Sequence, residues 1–418
     1  MIRLLATPWS SFDGRNTRPR LSAAAVWAPL LFILAVAWIW GQEFPQLGQL
    51  INQGNLVEAR RILDSELEKT PDHPELSYWK AALELRQGQV TAAEETLQQV
   101  IESGRANPPH YIMLADIYNS RQQWDKSAQV YRDALIARYT PRMAYNLALA
   151  EFRGGHFQAA IEAVKPLADD PRATPPFHHL LGLAYFGNND FQEALPYLKK
   201  AVEGQPENAS IHYDYALALL QNEQLEEAEA EFRKTIEMQP EWARAHLYLG
   251  RALHDQNFAE DALKSFQEAR RLNPELPLLH HHFGLLHRGR GEFDQAIAEF
   301  EAELALGTVS AATCFQLADL LANRGEDERS SQLIAQALRI SPDNAEYRLL
   351  AAKLALQGER YEEADQHLQA ALESEPENDQ AYWLLGRLRQ AQGLPQQAQE
   401  AFQRSRQIKD AKSQRNQP

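Results

Sequence analysis

Histidine is the residue type in this chain best suited to chemistry. His280-His281-His282 form a run, His178-His179 a pair, and His246, His254 and His287 fall nearby. Several imidazoles brought together would make a site for zinc or another borderline metal. Their spacing points elsewhere. His178, His212, His246 and His280 recur at intervals of 34 residues, so each belongs to a separate copy of one structural unit. No H-E-x-x-H or comparable ligand spacing is present, and the single cysteine, Cys314, joins none of them. Packing is the expected role of these rings, with no metal bound.

Carboxylate pairs such as Glu226-Glu227 and Glu362-Glu363 could serve acid–base work. Both open an amphipathic segment, where acidic side chains complement a helix dipole without any catalytic duty. There is no G-x-S-x-G elbow and no glycine-rich phosphate loop, and Cys314 stands in no nucleophile context. The chain is therefore expected to be non-enzymatic and to carry no cofactor. A formal net charge of -15 argues against nucleic acid, which rewards basic faces. One thiol allows no intramolecular disulfide and gives no signal of redox compartment.

The elements that position these residues are repeats. From 175 to 308, four 34-residue blocks keep one phase. Leu181-Gly182, Tyr215-Ala216, Leu249-Gly250 and Phe283-Gly284 share a slot. Ala194, Ala228, Ala262 and Ala296 share a second, each four residues before Leu198, Phe232, Phe266 or Phe300. Extending the phase gives eleven blocks, starting near 40, 74, 108, 141, 175, 209, 243, 277, 311, 345 and 379. From Ala81 to Gly386 the first small slot holds only alanine or glycine. From Ala59 to Ala398 the second holds only alanine or serine. Block positions 4, 7, 8 and 11 have the i, i+3, i+4, i+7 spacing of one helix stripe, and positions 20, 24 and 27 form a stripe on a second helix. Glycines such as Gly54, Gly88, Gly155 and Gly291 sit between the two, and Pro71, Pro206, Pro240, Pro274, Pro342 and Pro376 stop the second helix.

This period and order resemble the tetratricopeptide repeat pattern W-x2-L-G-x2-Y…A-x3-F…P. The resemblance implies an all-α fold, a right-handed superhelical solenoid of about eleven helix-turn-helix repeats over residues 41–412. The position-4 histidines then stand in the tryptophan slot, and His287 in the tyrosine slot. The last second helix is polar through Gln396, Gln399, Gln403 and Gln407, as a terminal cap requires. Beyond it, 413–418 is expected to be a disordered tail, with Asp410 to Pro418 polar and aperiodic.

Ahead of the repeats, residues 1–20 carry Arg3, Arg15, Arg18 and Arg20 against Asp13, and Leu21 to Trp40 runs without a charge. About 20 helical residues span roughly 30 Å, one hydrocarbon core. Trp38 and Trp40 would mark its interface. Ala35-Val36-Ala37 also fits a signal-peptide cleavage site, but the long apolar run favours an uncleaved anchor. The expectation is a single-pass membrane protein of a bacterial inner membrane, with 1–20 cytoplasmic, 21–40 spanning, and the array on the periplasmic side.

The resemblance also implies a groove, lined by positions 2, 5, 9 and 12 of the first helices. These supply Tyr145 and Phe152, His179 and Phe186, Tyr213, Leu217 and Leu220. Arg244, Leu247, Arg251, His254, His281 and Arg288 follow, with Tyr248 and His282 bordering at position 6. Aromatic and arginine side chains are the usual interface anchors. Family members that clamp a C-terminal carboxylate use a lysine–asparagine–arginine set, and Arg244 and Arg251 lack the lysine–asparagine part. The expected function is a membrane-tethered scaffold that holds a segment of another protein in this groove. The alternatives are an accessory subunit of an envelope machinery and a self-associating structural subunit.

Overall fold

The computed structural model of this chain describes residues 43–137, 140–307 and 309–415. Among them are twenty-two helices and no strand. They come in eleven pairs at the expected repeat register. The first six are α1 (Pro45–Asn52) with α2 (Leu56–Lys69), α3 (Pro74–Arg86) with α4 (Val90–Glu102), and α5 (Pro108–Ser120) with α6 (Trp124–Ala137). Then come α7 (Pro141–Arg153) with α8 (Phe157–Ala168), α9 (Pro175–Gly187) with α10 (Phe191–Gly204), and α11 (Ala209–Gln221) with α12 (Leu225–Met238). The other five are α13 (Ala243–Asp255) with α14 (Ala259–Leu272), α15 (Leu279–Gly289) with α16 (Phe293–Ala305), and α17 (Ala311–Asn323) with α18 (Asp327–Ile340). Last are α19 (Ala345–Gln357) with α20 (Tyr361–Ser374) and α21 (Asp379–Ala391) with α22 (Pro395–Arg415). Contacts divide the chain into two compact units at Met238/Gln239, so α1–α12 belong to one and α13–α22 to the other.

Local chemistry sets the ends of these helices. Second helices finish two residues ahead of Pro71, Pro206, Pro240, Pro274, Pro342 and Pro376, since proline supplies no backbone donor. Two residues after three of those prolines an asparagine caps the next helix: Asn208 accepts from the Ser210 N–H, Asn344 from Tyr347 and Asn378 from Ala381. Within each pair the turn needs one residue in the left-handed region. Glycine takes it at Gly54, Gly88, Gly155, Gly291, Gly325 and Gly393. At the matching slot of the other five pairs Gln122, Asn189, Glu223, Asn257 and Glu359 adopt the same positive φ.

The small slots do what their size allows. Ala59, Ala93, Ala160, Ala194, Ala228, Ala262 and Ala296 are fully buried. A Cβ placed on Gly250 would lie 2.5 Å from the Phe266 ring, inside van der Waals contact, so position 8 of the first helix must stay small for position 24 of the second to fill the core. In block one a different contact uses a small residue: a Cβ on Gly48 would meet the Trp79 ring of the next repeat.

One expectation is overturned. No helix among the described residues is long and apolar enough to cross a membrane. Among the described residues the longest helix, α22 with 21 residues, is rich in glutamine, arginine and lysine. Over the described residues the fold is all-α repeats without a transmembrane helix, and a single-pass membrane localisation with a periplasmic array is not supported. Residues 1–20 and the 21–40 stretch that prompted it lie outside the described residues. At the other end α22 continues through Asp410 to Arg415, where an aperiodic tail was expected. Ser405 Oγ donates to the Asp379 carbonyl and Lys412 pairs with the Asp379 carboxylate at 2.8 Å, so the last helix is tied to the one before it.

Candidate partner-binding groove

In the unit that ends at Met238, the groove positions of successive first helices lie against neighbouring rings. Tyr145 packs on Phe177 at 5.4 Å between centroids, Phe152 on Phe157 at 5.6 Å, and Phe186 on Phe191 at 5.2 Å. Tyr213 meets Phe232 edge-on at 5.9 Å. Phe186, Tyr213 and Leu217 are less than a tenth exposed, as is Leu220, whereas Tyr145, Phe152 and His179 keep partial access to water. Phe152, Phe186 and Tyr213 thus pack on the second helix of their own repeat and Tyr145 on the next repeat, in the tilted and edge-to-face arrangements aromatic rings favour.

Two acidic groups in this unit were absent from the sequence reading. Asp214, at position 6 of α11, lies 2.8 Å from His179 Nε2. Burial raises its carboxyl pKa, and the His179 contact opposes that rise. Asp116, at position 9 of α5, is pushed up to about 6 by burial, partly offset by the charge of Arg142 and a hydrogen bond to Asn119. Its field reaches Tyr78 and Tyr131, whose hydroxyls are raised mainly by burial. The positional rule used from block four onward would have found Asp116 in block three.

In the unit that begins at Gln239, α13 carries Arg244, Tyr248, Arg251 and His254 at positions 2, 6, 9 and 12. Tyr248 is buried, and desolvation raises its hydroxyl against the charges of Arg251 and Arg244. Arg244, Arg251 and His254 stay partly exposed. Arg251 Nε lies 3.6 Å from Asp255 Oδ2, a contact too long for a hydrogen bond. Arg288 is committed instead: it donates to Gln316 Oε1 and, at 2.8 Å, to Asp319 Oδ2.

His281 and His282 are core residues. His281 Nδ1 meets Thr313 Oγ1 at 2.9 Å, and burial, with the Arg251 charge, pushes its pKa down to about 4. His282 stacks on Phe266 at 5.8 Å. Buried Glu303 receives the backbone N–H groups of Leu278 and His281, holding the start of α15 where Leu278 takes a left-handed turn.

The periodic histidines act as ties between helices. His212 and His246 donate from Nε2 to the carbonyls of Pro206 and Pro240, at 2.9 and 2.8 Å, and His178 contacts the Ala168 carbonyl. Nδ1 of His212 faces Glu231, and Nδ1 of His280 faces Glu299. Among the described residues no three of His, Cys, Asp and Glu converge as metal ligands would.

Helix pairs of this register with small residues at the crossing define a helical repeat scaffold. Tetratricopeptide repeat models match residues 50–117, 112–173, 179–241, 219–277, 283–345 and 349–413. The chain belongs to the tetratricopeptide repeat family. A comparison with curated proteins returned no significant match. Among solved structures, the APC/C hetero-tetramer Cut9–Hcn1 is similar at 17% identity and TM-score 0.52, over 75% of this chain. This chain spans 63% of that one. PilF of Pseudomonas aeruginosa matches at 25% identity and TM-score 0.44, over 50% of this chain and 94% of that one. Yeast Tom70 matches at 16% identity and TM-score 0.49, covering 84% and 86%. With 412 solved chains matching, likeness of fold does not select a partner.

Proposed function

We propose that this protein is a non-enzymatic binding scaffold that holds an acidic segment of a partner protein along the α13 face of its second unit. The observation that carries this reading is the set Arg244, Arg251 and His254. These side chains are partly exposed, occupy groove positions of one helix, and stand in a chain of net charge -15. Two guanidiniums on one helix face offer charge-assisted hydrogen bonds to carboxylates. Tyr248 and Leu247, buried beneath them, make the floor rigid and so lower the entropy lost on binding. In the first unit, Tyr145, Phe152 and His179 are the groove side chains with surface left to offer, whereas Phe186, Tyr213 and Leu217 are buried in the wall, as His281 is in the second unit.

The test is photo-crosslinking from position 254 in the full chain, with mass spectrometry of the captured segment. One partner, crosslinked through an acidic stretch, is the expected result, and Arg244→Glu with Arg251→Glu should abolish it. The same crosslinks in the charge-reversed protein would remove this face from consideration.

A further inference from the structure

Away from the groove positions, α18, α19 and α20 line an open pocket of about 350 Å³. The residues that α19 contributes, Arg348, Ala351 and Leu354, are at block positions 4, 7 and 10, so this cavity uses none of positions 2, 5, 9 and 12. Its floor is apolar, built from Ile334, Leu338, Ala351 and Leu354. Its rim is basic, with Arg339, Arg348, Arg360 and His367 against the single carboxylate of Glu363.

Comparison with other repeats of this same chain shows what is unusual. In two repeats, position 4 and the residue 19 further on form an acid–base pair: His212 with Glu231 at 2.5 Å, and His280 with Glu299 at 2.6 Å. In the tenth repeat the same two slots hold Arg348 and His367, two bases. Arg348 keeps the tie made by the histidines, since its Nε donates to the Pro342 carbonyl at 2.9 Å, six residues back. Its Nη1 reaches His367 Nδ1 at 3.2 Å. That contact requires an unprotonated Nδ1, so the ring proton sits on Nε2, 3.8 Å from Glu363 Oε1. Glu363 is shared with Arg360 at 3.2 Å. Burial, then the Arg348 charge, lowers the His367 pKa, with Glu363 opposing. Where two repeats supply an internal carboxylate, this one leaves two bases facing a cavity with an apolar floor.

We propose that this cavity binds an acidic peptide segment of a partner protein, a carboxylate side chain entering between Arg348, His367 and Arg360 while an adjacent leucine or phenylalanine covers the apolar floor. The carboxylate supplies the acidic partner that Glu231 and Glu299 provide in their own repeats. Its volume is at the lower end of ligand pockets and suits one or two side chains rather than a whole helix.

The probe is an acetylated, amidated Glu-Leu-Glu-Phe peptide, titrated into the full chain and followed by calorimetry and by the His367 imidazole signal. Binding should raise the His367 pKa and tighten as pH falls, because an incoming carboxylate favours the imidazolium. His367→Glu restores the acid–base pair of the other repeats. It should keep the melting temperature at or above that of the parent and weaken the peptide at least tenfold, about 1.4 kcal/mol. Should that variant fail to fold, Arg360→Ala at the exposed rim should weaken binding in the same direction. Arg244→Glu with Arg251→Glu should leave this binding unchanged, which separates it from the groove reading. No binding to the parent protein, equal binding to His367→Glu, or loss only in the groove variant would overturn the proposal. Equal affinity for sodium sulfate would overturn the peptide assignment.

Discussion

Asp116 shows how one side chain can report on a groove. Its carboxyl is pushed up to about 6 mainly by burial, so the folded chain holds that proton more tightly than the unfolded one. The sign follows from linkage: the contribution to stability is favourable below about pH 4 and is lost as pH rises through the folded value. Asp116→Asn should therefore stabilise the protein by roughly 1–3 kcal/mol at about pH 7.5 and leave it near the parent at about pH 4. Urea unfolding at the two pH values measures this directly. Equal stability at the higher pH would mean that Arg142 and Asn119 already compensate the charge. Position 9 was visible in the sequence as a groove slot, but burial was not. It depends on how the helices pack, which also brings Asp116 within electrostatic reach of Tyr78 and Tyr131 on other helices.

At the scale of the helix pair, the turn is the most regular feature. All eleven turns place one residue at positive φ, and five of them do so without glycine. A left-handed L-residue costs roughly 1–2 kcal/mol, while glycine loses about 0.5–1 kcal/mol through unfolded-state entropy. Glu359→Gly should thus raise the melting temperature, with a net gain of up to about 1 kcal/mol. A fall would show that the Glu359 side chain makes a contact worth more than the strain. Six turns were legible because glycine marks them. Asn189 and Asn257 suit the left-handed turn as well, whereas the other three follow only from the repeat register, since Gln122, Glu223 and Glu359 carry no turn signal of their own.

For the whole molecule, repeat proteins sum local stabilities and nearest-neighbour terms. Gly250→Leu forces a branched side chain into the Phe266 ring, which a Cβ alone would approach to 2.5 Å. Overpacking of this kind costs about 1–3 kcal/mol. Hydrogen exchange should show lost protection around α13–α15, while helices such as α3–α6 keep theirs. A uniform loss along the chain would contradict distributed stability.

The sequence alone determined the period, the pairing of helices, the slots that must stay small and the prolines that end six of the eleven repeats. These are local or strictly periodic properties, and one residue type recurring at one position is enough to reveal them. The tertiary structure decided which groove positions face water. Tyr213 and Tyr248 are aromatic residues at or beside groove positions, as an exposed anchor would be, yet the fold buries them, while Arg244 and Arg251 remain accessible. It also withdrew the membrane span from the described fold, and it brought Arg348 beside His367. Burial and charge pairing are sums over several repeats, and no single repeat carries that sum in its own sequence.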